Sequence, residues 1–232
     1  MEARSIRLVD EGHATSAIIL PSGATEVERF AARELVKYLH LMSGATNPTF
    51  LGKPERTSIA CVYIGSLTTP DDTGFPHPDR VPNYPEGFII RTNAADTLLL
   101  IGSEPVGALY AVYALLTDVL GVSFVGLGEH GDDVPIRATI DVPAIDRADK
   151  PAMRRRSLNT LSNENDVVVR PMNAPALVSP LTIDRVDWMA KHRLNTLLVQ
   201  ASAFDVCDVE THLVPEATKR GIRVEWSHHN MG

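Results

Sequence analysis

The sequence predicts a two-layer α+β domain followed by the opening of a parallel α/β segment. Three observations carry that expectation. Apolar residues recur at three- and four-residue steps in two stretches, 27–42 and 106–120, the spacing of one helix face. Short apolar runs at 16–21, 58–65, 87–92 and 97–102 are bounded by turn-forming residues, as strands are. After Pro151 the order becomes strand, helix, strand, helix, strand, which requires right-handed crossovers and a parallel sheet.

The elements follow in chain order. SAIILP (16–21) reads as a strand ending in a Pro-Ser-Gly turn. Val27, Phe30, Ala31, Leu35, Tyr38, Leu39 and Met42 then form the apolar stripe of a helix. Thr25 with Glu28 fits a capping box at its start, and Gly44 fits a left-handed cap at its end. SIACVYIG (58–65) is a buried strand, and the Pro-, Asp- and Gly-rich stretch from Thr68 to Pro85 an exposed loop. GFIIRT (87–92) and TLLLIG (97–102) flank the polar turn 93–96, the pattern of a hairpin. Ser103 is placed to cap a second helix with Pro105 in its first turn. Its apolar face is Val106, Leu109, Tyr110, Tyr113, Leu116 and Leu120, and Gly121 closes it. VSFVGLGEHGDDVP and ATIDVP read as a strand, a loop and a closing strand. The charged run AIDRADK (144–150) has no core pattern and reads as a linker.

Beyond Pro151, MRRRSLNTL is a strand and residues 162–180 a Pro-containing loop. Thr182 is expected to cap a helix whose apolar side is Ile183, Val186, Met189, Ala190 and Leu194. NTLLVQ (195–200) is a strand with a continuous apolar centre, ETHLVPEATKRG a helix, and GIRVEW (221–226) a third strand. The predicted domains are 1–145 and 151–232.

Composition narrows the function classes. The chain has 232 residues, 22 Lys+Arg against 29 Asp+Glu, a net charge of −7 and 44% hydrophobic residues. That apolar fraction suffices for a buried core. The acidic balance argues against nucleic acid as a partner, and Arg154–Arg156 is too short a basic run for one. No apolar stretch reaches the roughly 18–20 residues of a membrane span, so no membrane partner is expected. The N-terminus has no apolar signal core, which points to a cytoplasmic setting; a chain trimmed at its start would read the same way. Cys61 and Cys207 form no metal-spaced pair, and HExxH is absent, so neither metal nor cofactor is expected. IGSEPVGALYA lacks the spacing of a phosphate loop, and Gly102 and Gly107 read as turn and close-packing glycines. Glu129, His130, Asp132 and Asp133 form an acidic loop, read as solvated rather than cation-binding.

The segments ATEVERFAARELVKYLHLMSG, VYIGS and PEGFIIRTNAADTLLLIGSEPVGALYAVYALLTDVLGVSFV resemble, in that order, the N-terminal accessory domain of sugar-cleaving enzymes. These are the family 20 β-hexosaminidases, the family 67 α-glucuronidases and related uncharacterised hydrolases. The most specific block runs from Gly87 to Phe124. The resemblance implies a hexosaminidase domain 2-like fold, then an incomplete (β/α) barrel of which residues 151–232 supply the first three βα units. It implies a carbohydrate ligand, uronic acid-containing in the glucuronidase branch, and glycoside hydrolysis by the parent protein. The family acids lie on the fourth strand and beyond, so no catalytic residue is assigned and the chain alone is expected to be inactive. A non-catalytic carbohydrate-binding or interaction module is the alternative. A third is a complete small protein whose residues 151–232 pack back on the first domain. Unfinished sheet edges would also allow a homodimer.

Four substrate-binding positions follow. Arg156, five residues after Pro151, matches the family 20 arginine that grips sugar hydroxyls, a task suited to its planar fork of donors. The other reading of Arg154–Arg156 is a strand end with surface ion pairs. Leu161 stands where family 20 has an Asp, and LLVQ lacks that family's strand-two ending, which favours the glucuronidase-like branch. His229, beside His228, follows strand three like the Gly-Gly-His-like ending of related hydrolases; the pair also reads as a solvated tail or a purification remnant. Gln200 ends strand two, where it reaches a ligand or caps the strand. Trp226 ends strand three, where its ring could stack on a sugar, whereas Trp188 sits on a polar helix shoulder. Tyr110 and Tyr113 read as core.

Overall fold

The computed structural model describes residues 4–52, 59–70, 74–93, 96–160, 178, 180–200 and 206–227. The chain forms two compact units, Met1–Ser123 with Asp133–Ala152, and Phe124–Asp132 with Met153–Gly232. Elements in chain order are β1 (Ile6–Asp10), β2 (His13–Ala14), β3 (Ser16–Leu20), α1 (Glu26–Ser43), β4 (Thr49–Leu51), β5 (Ala60–Ser66), β6 (Phe88–Asn93) and β7 (Thr97–Gly102). There follow α2 (Pro105–Ala114), β8 (Ser123–Phe124), β9 (Asp132–Asp133), β10 (Ile140–Val142), β11 (Asp146–Asp149) and β12 (Ser157–Thr160). The last are α3 (Pro180–Lys191), β13 (Thr196–Gln200), α4 (Val206–Asp208), α5 (Val214–Thr218) and β14 (Arg223–Ser227).

The first unit is built on a six-stranded mixed sheet of order β11-β6-β7-β5-β3-β4. The expected hairpin is present as β6 and β7, paired antiparallel from Phe88↔Gly102 to Asn93↔Thr97. β7, β5, β3 and β4 run parallel. Alternation along the strands divides the apolar side chains between two faces. One face carries Ala17, Ile19, Tyr63, Ile89, Leu99 and Ile101, and Phe75 packs among them. Residues 74–85 are therefore not simply an exposed loop: the Phe75 ring meets Tyr63 edge-on at 5.4 Å, and Val81 packs against the same cluster. Gly65 makes room for it, since a Cβ there would lie 2.7 Å from the Phe75 ring.

α1 and α2 pack together and against the sheet. The capping box of α1 forms as read, with the Glu28 amide donating to Thr25 Oγ1 and the Thr25 amide to Glu28 Oε2. Gly44 closes the helix in the left-handed region at φ 77°. Glu28 is nevertheless buried, and its other oxygen accepts from the Thr69 hydroxyl at 2.6 Å. α2 has more than one apolar face: every residue from Gly107 to Ala114 is buried, Tyr110 and Tyr113 included. The Tyr113 hydroxyl donates to the buried Glu34 at 3.0 Å. A π turn, Leu115–Val119, continues the helix to Gly121.

Four sequence expectations are corrected. Ser103 does not cap α2; its hydroxyl donates to the Tyr84 carbonyl, and Glu104 takes the cap position without a side-chain bond. The N-terminal residues, read only as lacking an apolar signal core, include β1, which pairs with β10 and β2 in a separate three-stranded sheet and buries Ile6, Leu8 and Val9. The 144–150 run is not a linker, because Asp146–Asp149 pair antiparallel with β6 as the edge strand β11. Its charges suit an edge, where they oppose further strand addition. Asp146 accepts from Arg91 at 2.8 Å, and Arg147 donates to Asp118 at 2.6 Å and Asp149 at 2.8 Å. Finally, Thr182 lies buried within α3, which begins at Pro180.

In the second unit β12, β13 and β14 form a parallel sheet in sequence order, as the strand–helix alternation predicts. The register aligns Ser157 with Thr196 and Thr196 with Arg223 at the strand starts. Val186, Met189 and Ala190 of α3, Leu197 and Val199 of β13, and Val209, Leu213 and Ala217 of the last helical stretch are buried. That stretch runs through α4, a π turn (Val209–Leu213) and α5. β8 and β9 form a two-stranded sheet of their own. No closed barrel is present among the described residues.

Candidate functional site

In a parallel α/β sheet, loops at the strand C-terminal ends collect ligands, while the opposite ends serve stability. The register of the second unit therefore sorts the sequence-predicted positions. Val199 of β13 stands beside Trp226 of β14, and Gln200 beside Ser227. Gln200 and Trp226 thus both lie at the C-terminal ends of their strands, with Trp226 39% exposed. His229, His228 and Leu161, and most of the 162–180 loop, lie outside the described residues.

Arg156 lies at the other end, one residue before β12. Its Nε donates to the Arg193 carbonyl at 2.7 Å, and its Nη1 to the Met153 carbonyl at 2.6 Å. Its amide donates to Asn195 Oδ1 at 2.9 Å, and Asn195 Nδ2 donates to the Arg154 carbonyl at 2.6 Å. The guanidinium fork thus ties together the segments leading into two adjacent strands. Arg155 pairs with Glu225 on the third strand at 2.6 Å.

Around the C-terminal parts of α3 and α5 is a buried charge network that sequence reasoning missed. Lys191 is 3% exposed at its side chain and Asp132 4%; they meet at 2.9 Å. Lys191 also pairs with Asp187 at 2.8 Å, and Asp187 with Arg220 at 3.0 Å. Arg220 in turn meets Glu216 at 2.6 Å, and the Lys191 ammonium sits 5.1 Å from the centre of the Phe124 ring. Burial pushes the Asp187 carboxyl up, but Lys191 and Arg220 outweigh it and hold the group below its ordinary value. Burial likewise pushes Lys191 down, and Asp187 with Asp132 more than reverse that. For Glu216 burial is again outweighed, by hydrogen bonds from Lys219 and Arg220. Paired so completely, these groups act as structure rather than as acids and bases. The signal was present as two i,i+4 pairs, Asp187–Lys191 and Glu216–Arg220. Asp132, read as part of a solvated loop, is their buried partner.

The glycines of the Gly87–Phe124 block behave as read. A Cβ on Gly107 would collide with the Gly87 carbonyl oxygen, and one on Gly102 with the backbone around Glu104 and Ala108. Trp188 stacks on His192 with ring centres 3.9 Å apart. Among the described residues no group of three or more His, Cys, Asp or Glu is placed to hold a metal ion. No described helix is long and apolar enough to cross a membrane.

No curated protein matches the chain by sequence. Solved structures that share its fold include three carbohydrate-active enzymes. A family GH115 4-O-methyl-α-glucuronidase with specificity for decorated arabinogalactans aligns over 96% of this chain and 29% of its own, at 15% identity and a TM-score of 0.71. A GH138 enzyme targeting pectin rhamnogalacturonan II aligns over 93% of this chain and 25% of its own, at 16% identity and a TM-score of 0.56. A β-hexosaminidase from Streptomyces plicatus aligns over 97% of this chain and 42% of its own, at 12% identity and a TM-score of 0.56. The chain thus spans well under half the length of each. The family model described as "Glycosyl hydrolase family 67 N-terminus" matches residues 7–115. This stretch holds α1, the β6–β7 hairpin and α2, and it is similar to the N-terminal domain of family 67 glycoside hydrolases.

Proposed function

We propose that these 232 residues are the N-terminal part of a glycoside hydrolase acting on an oligo- or polysaccharide that contains uronic acid. In this reading the first unit is the accessory domain, and β12, β13 and β14 open a (β/α) barrel. The observation that carries it is the ordered parallel run β12-β13-β14 directly after a family 67-type domain. The alignment over nearly all of this chain but only 29% of an α-glucuronidase supports it.

Hydrolysis of a glycosidic bond needs two carboxyl groups flanking the scissile oxygen. The charged carboxylates Asp132, Asp187 and Glu216 are bound to Lys191 and Arg220, so we place the catalytic pair on further βα units. Trp226 and Gln200, at the strand C-terminal ends, are proposed to face substrate. Arg156, with its donors on Met153 and Arg193, is proposed to brace the strand starts. The 232-residue chain should not turn over aryl glucuronides, whereas a protein extended by in-frame βα repeats should. Turnover by the short chain would overturn the assignment of the acids, and an inactive extended protein would overturn the hydrolase reading.

A further inference from the structure

A groove of about 550 Å³ lies in the first unit, between α1 and the edge strand β4. Arg29, Arg33 and Lys37 line it at successive i,i+4 positions of α1, and no carboxylate is among its lining residues. Phe50 and Leu51 of β4 form the facing wall, 40% and 53% exposed. Among the described residues β4 pairs only with β3. Arg29 also donates to the Ala24 carbonyl, and Arg33 to Glu26.

Asn47 supplies an independent observation. It is 2% exposed and lines the groove. Its Nδ2 donates to the Leu8 and Ser16 carbonyls and to Ser16 Oγ, at 3.1, 3.0 and 2.9 Å. Those bonds fix the amide's orientation, and Oδ1 has no donor among the described residues. A buried acceptor left so costs stability unless a donor arrives.

We infer that this groove binds a carboxylate-bearing sugar unit. A cationic row selects an anion. A purely ionic ligand would have no use for the apolar wall, and a fatty anion none for the Asn47 acceptor. An acidic sugar brings a carboxylate for the cations, hydroxyl donors for Asn47 Oδ1 and a C–H face for the Phe50 ring. Such a site would hold an acidic polysaccharide on a different unit from the one in which hydrolysis is proposed. The inference rests on the reading of the protein as carbohydrate-active.

The test is calorimetric titration of the 232-residue chain with trigalacturonate, with maltotriose as the neutral probe and hexaglutamate as the acidic peptide. Trigalacturonate should bind, and Lys37→Gln and Phe50→Ser should each weaken it about tenfold, the scale of one charge-assisted or stacking contact. Unchanged melting should accompany both substitutions. Amide chemical shifts of the unsubstituted protein should move in α1 and β4, a readout that needs no variant. Absence of binding, equal binding of hexaglutamate or maltotriose, or indifference to Phe50→Ser would overturn the proposal. Shifts confined to residues 196–227 would overturn it too while favouring the barrel-end site. Binding at the groove in a parent protein that hydrolyses no glycoside would leave the groove standing and remove the hydrolase reading.

Discussion

The two units bury different chemistry. In the first, a six-stranded sheet is covered by helices and by residues around Phe75, and its buried Glu28, Glu34 and Asn47 bond to neutral hydroxyl and backbone groups. In the second, three strands meet a smaller set of apolar side chains, and the enclosed side chains include the ion pair of Asp132 and Lys191. Apolar burial tolerates the loss of one contact in many, because the driving force is spread over area. A buried ion network does not, because removal of one member strands a charge in a poor solvent. The second unit should therefore be more sensitive to single charge changes, and the first to changes of volume.

The largest expected effect tests the charge side of that contrast. Lys191→Ala should destabilise the second unit by about 3–5 kcal/mol, since Asp132 and Asp187 lose a shared buried partner. Hydrogen exchange of β13 and β14 amides should accelerate while β5 and β7 amides stay protected; equal acceleration in both would show one cooperative structure instead of two. On the volume side, Gly107→Ala should cost the first unit roughly 1–3 kcal/mol, because the new methyl meets the Gly87 carbonyl in a close-packed junction. Urea unfolding followed through the first unit's tyrosines would register it. Thr25→Ala removes one half of the capping box and should cost about 1 kcal/mol, again confined to the first unit.

The smallest effect concerns pH. The Asp187 carboxyl sits below its ordinary 3.8 in the folded chain. Its contribution is complete above that value and is lost as pH falls through the lower folded value. Lys191, raised above its ordinary 10.5, contributes fully below that and loses its share only in stronger base. Below about pH 3.8 the second unit should thus begin to open before the first. Asp187→Asn should remove that acid dependence. Persistence of the same acid transition in the variant would assign it to other carboxylates.

How much could be read from the chain depended on sequence distance. Both long helices, the Thr25–Glu28 box, the Gly44 cap and the β6–β7 hairpin were legible, because each is decided by residues within a few positions of one another. β11 was not: DRAD carries no apolar alternation, and its strand character comes from pairing with β6, more than fifty residues earlier. Phe75 looked like part of a loop until the Tyr63 face was in place to receive it. At the candidate site, the residue types at the β13 and β14 ends were legible. That Arg156 stands at the opposite end required the register of β12 against β13.

By itself the amino-acid order determined the extent of α1, the β6–β7 hairpin and the apolar strands, and that the chain changes from a mixed to a parallel plan after Pro151. Those properties follow from backbone stereochemistry and from periodic burial, both of which act locally. Tertiary structure alone decided that a charged run would edge a sheet, that Asp132 would be enclosed by Lys191 across 59 positions, and that three helix cations would share a groove with Phe50 and Asn47. The energy of a charge or an unpaired amide oxygen depends on the dielectric and the partners around it, and only the folded chain supplies those.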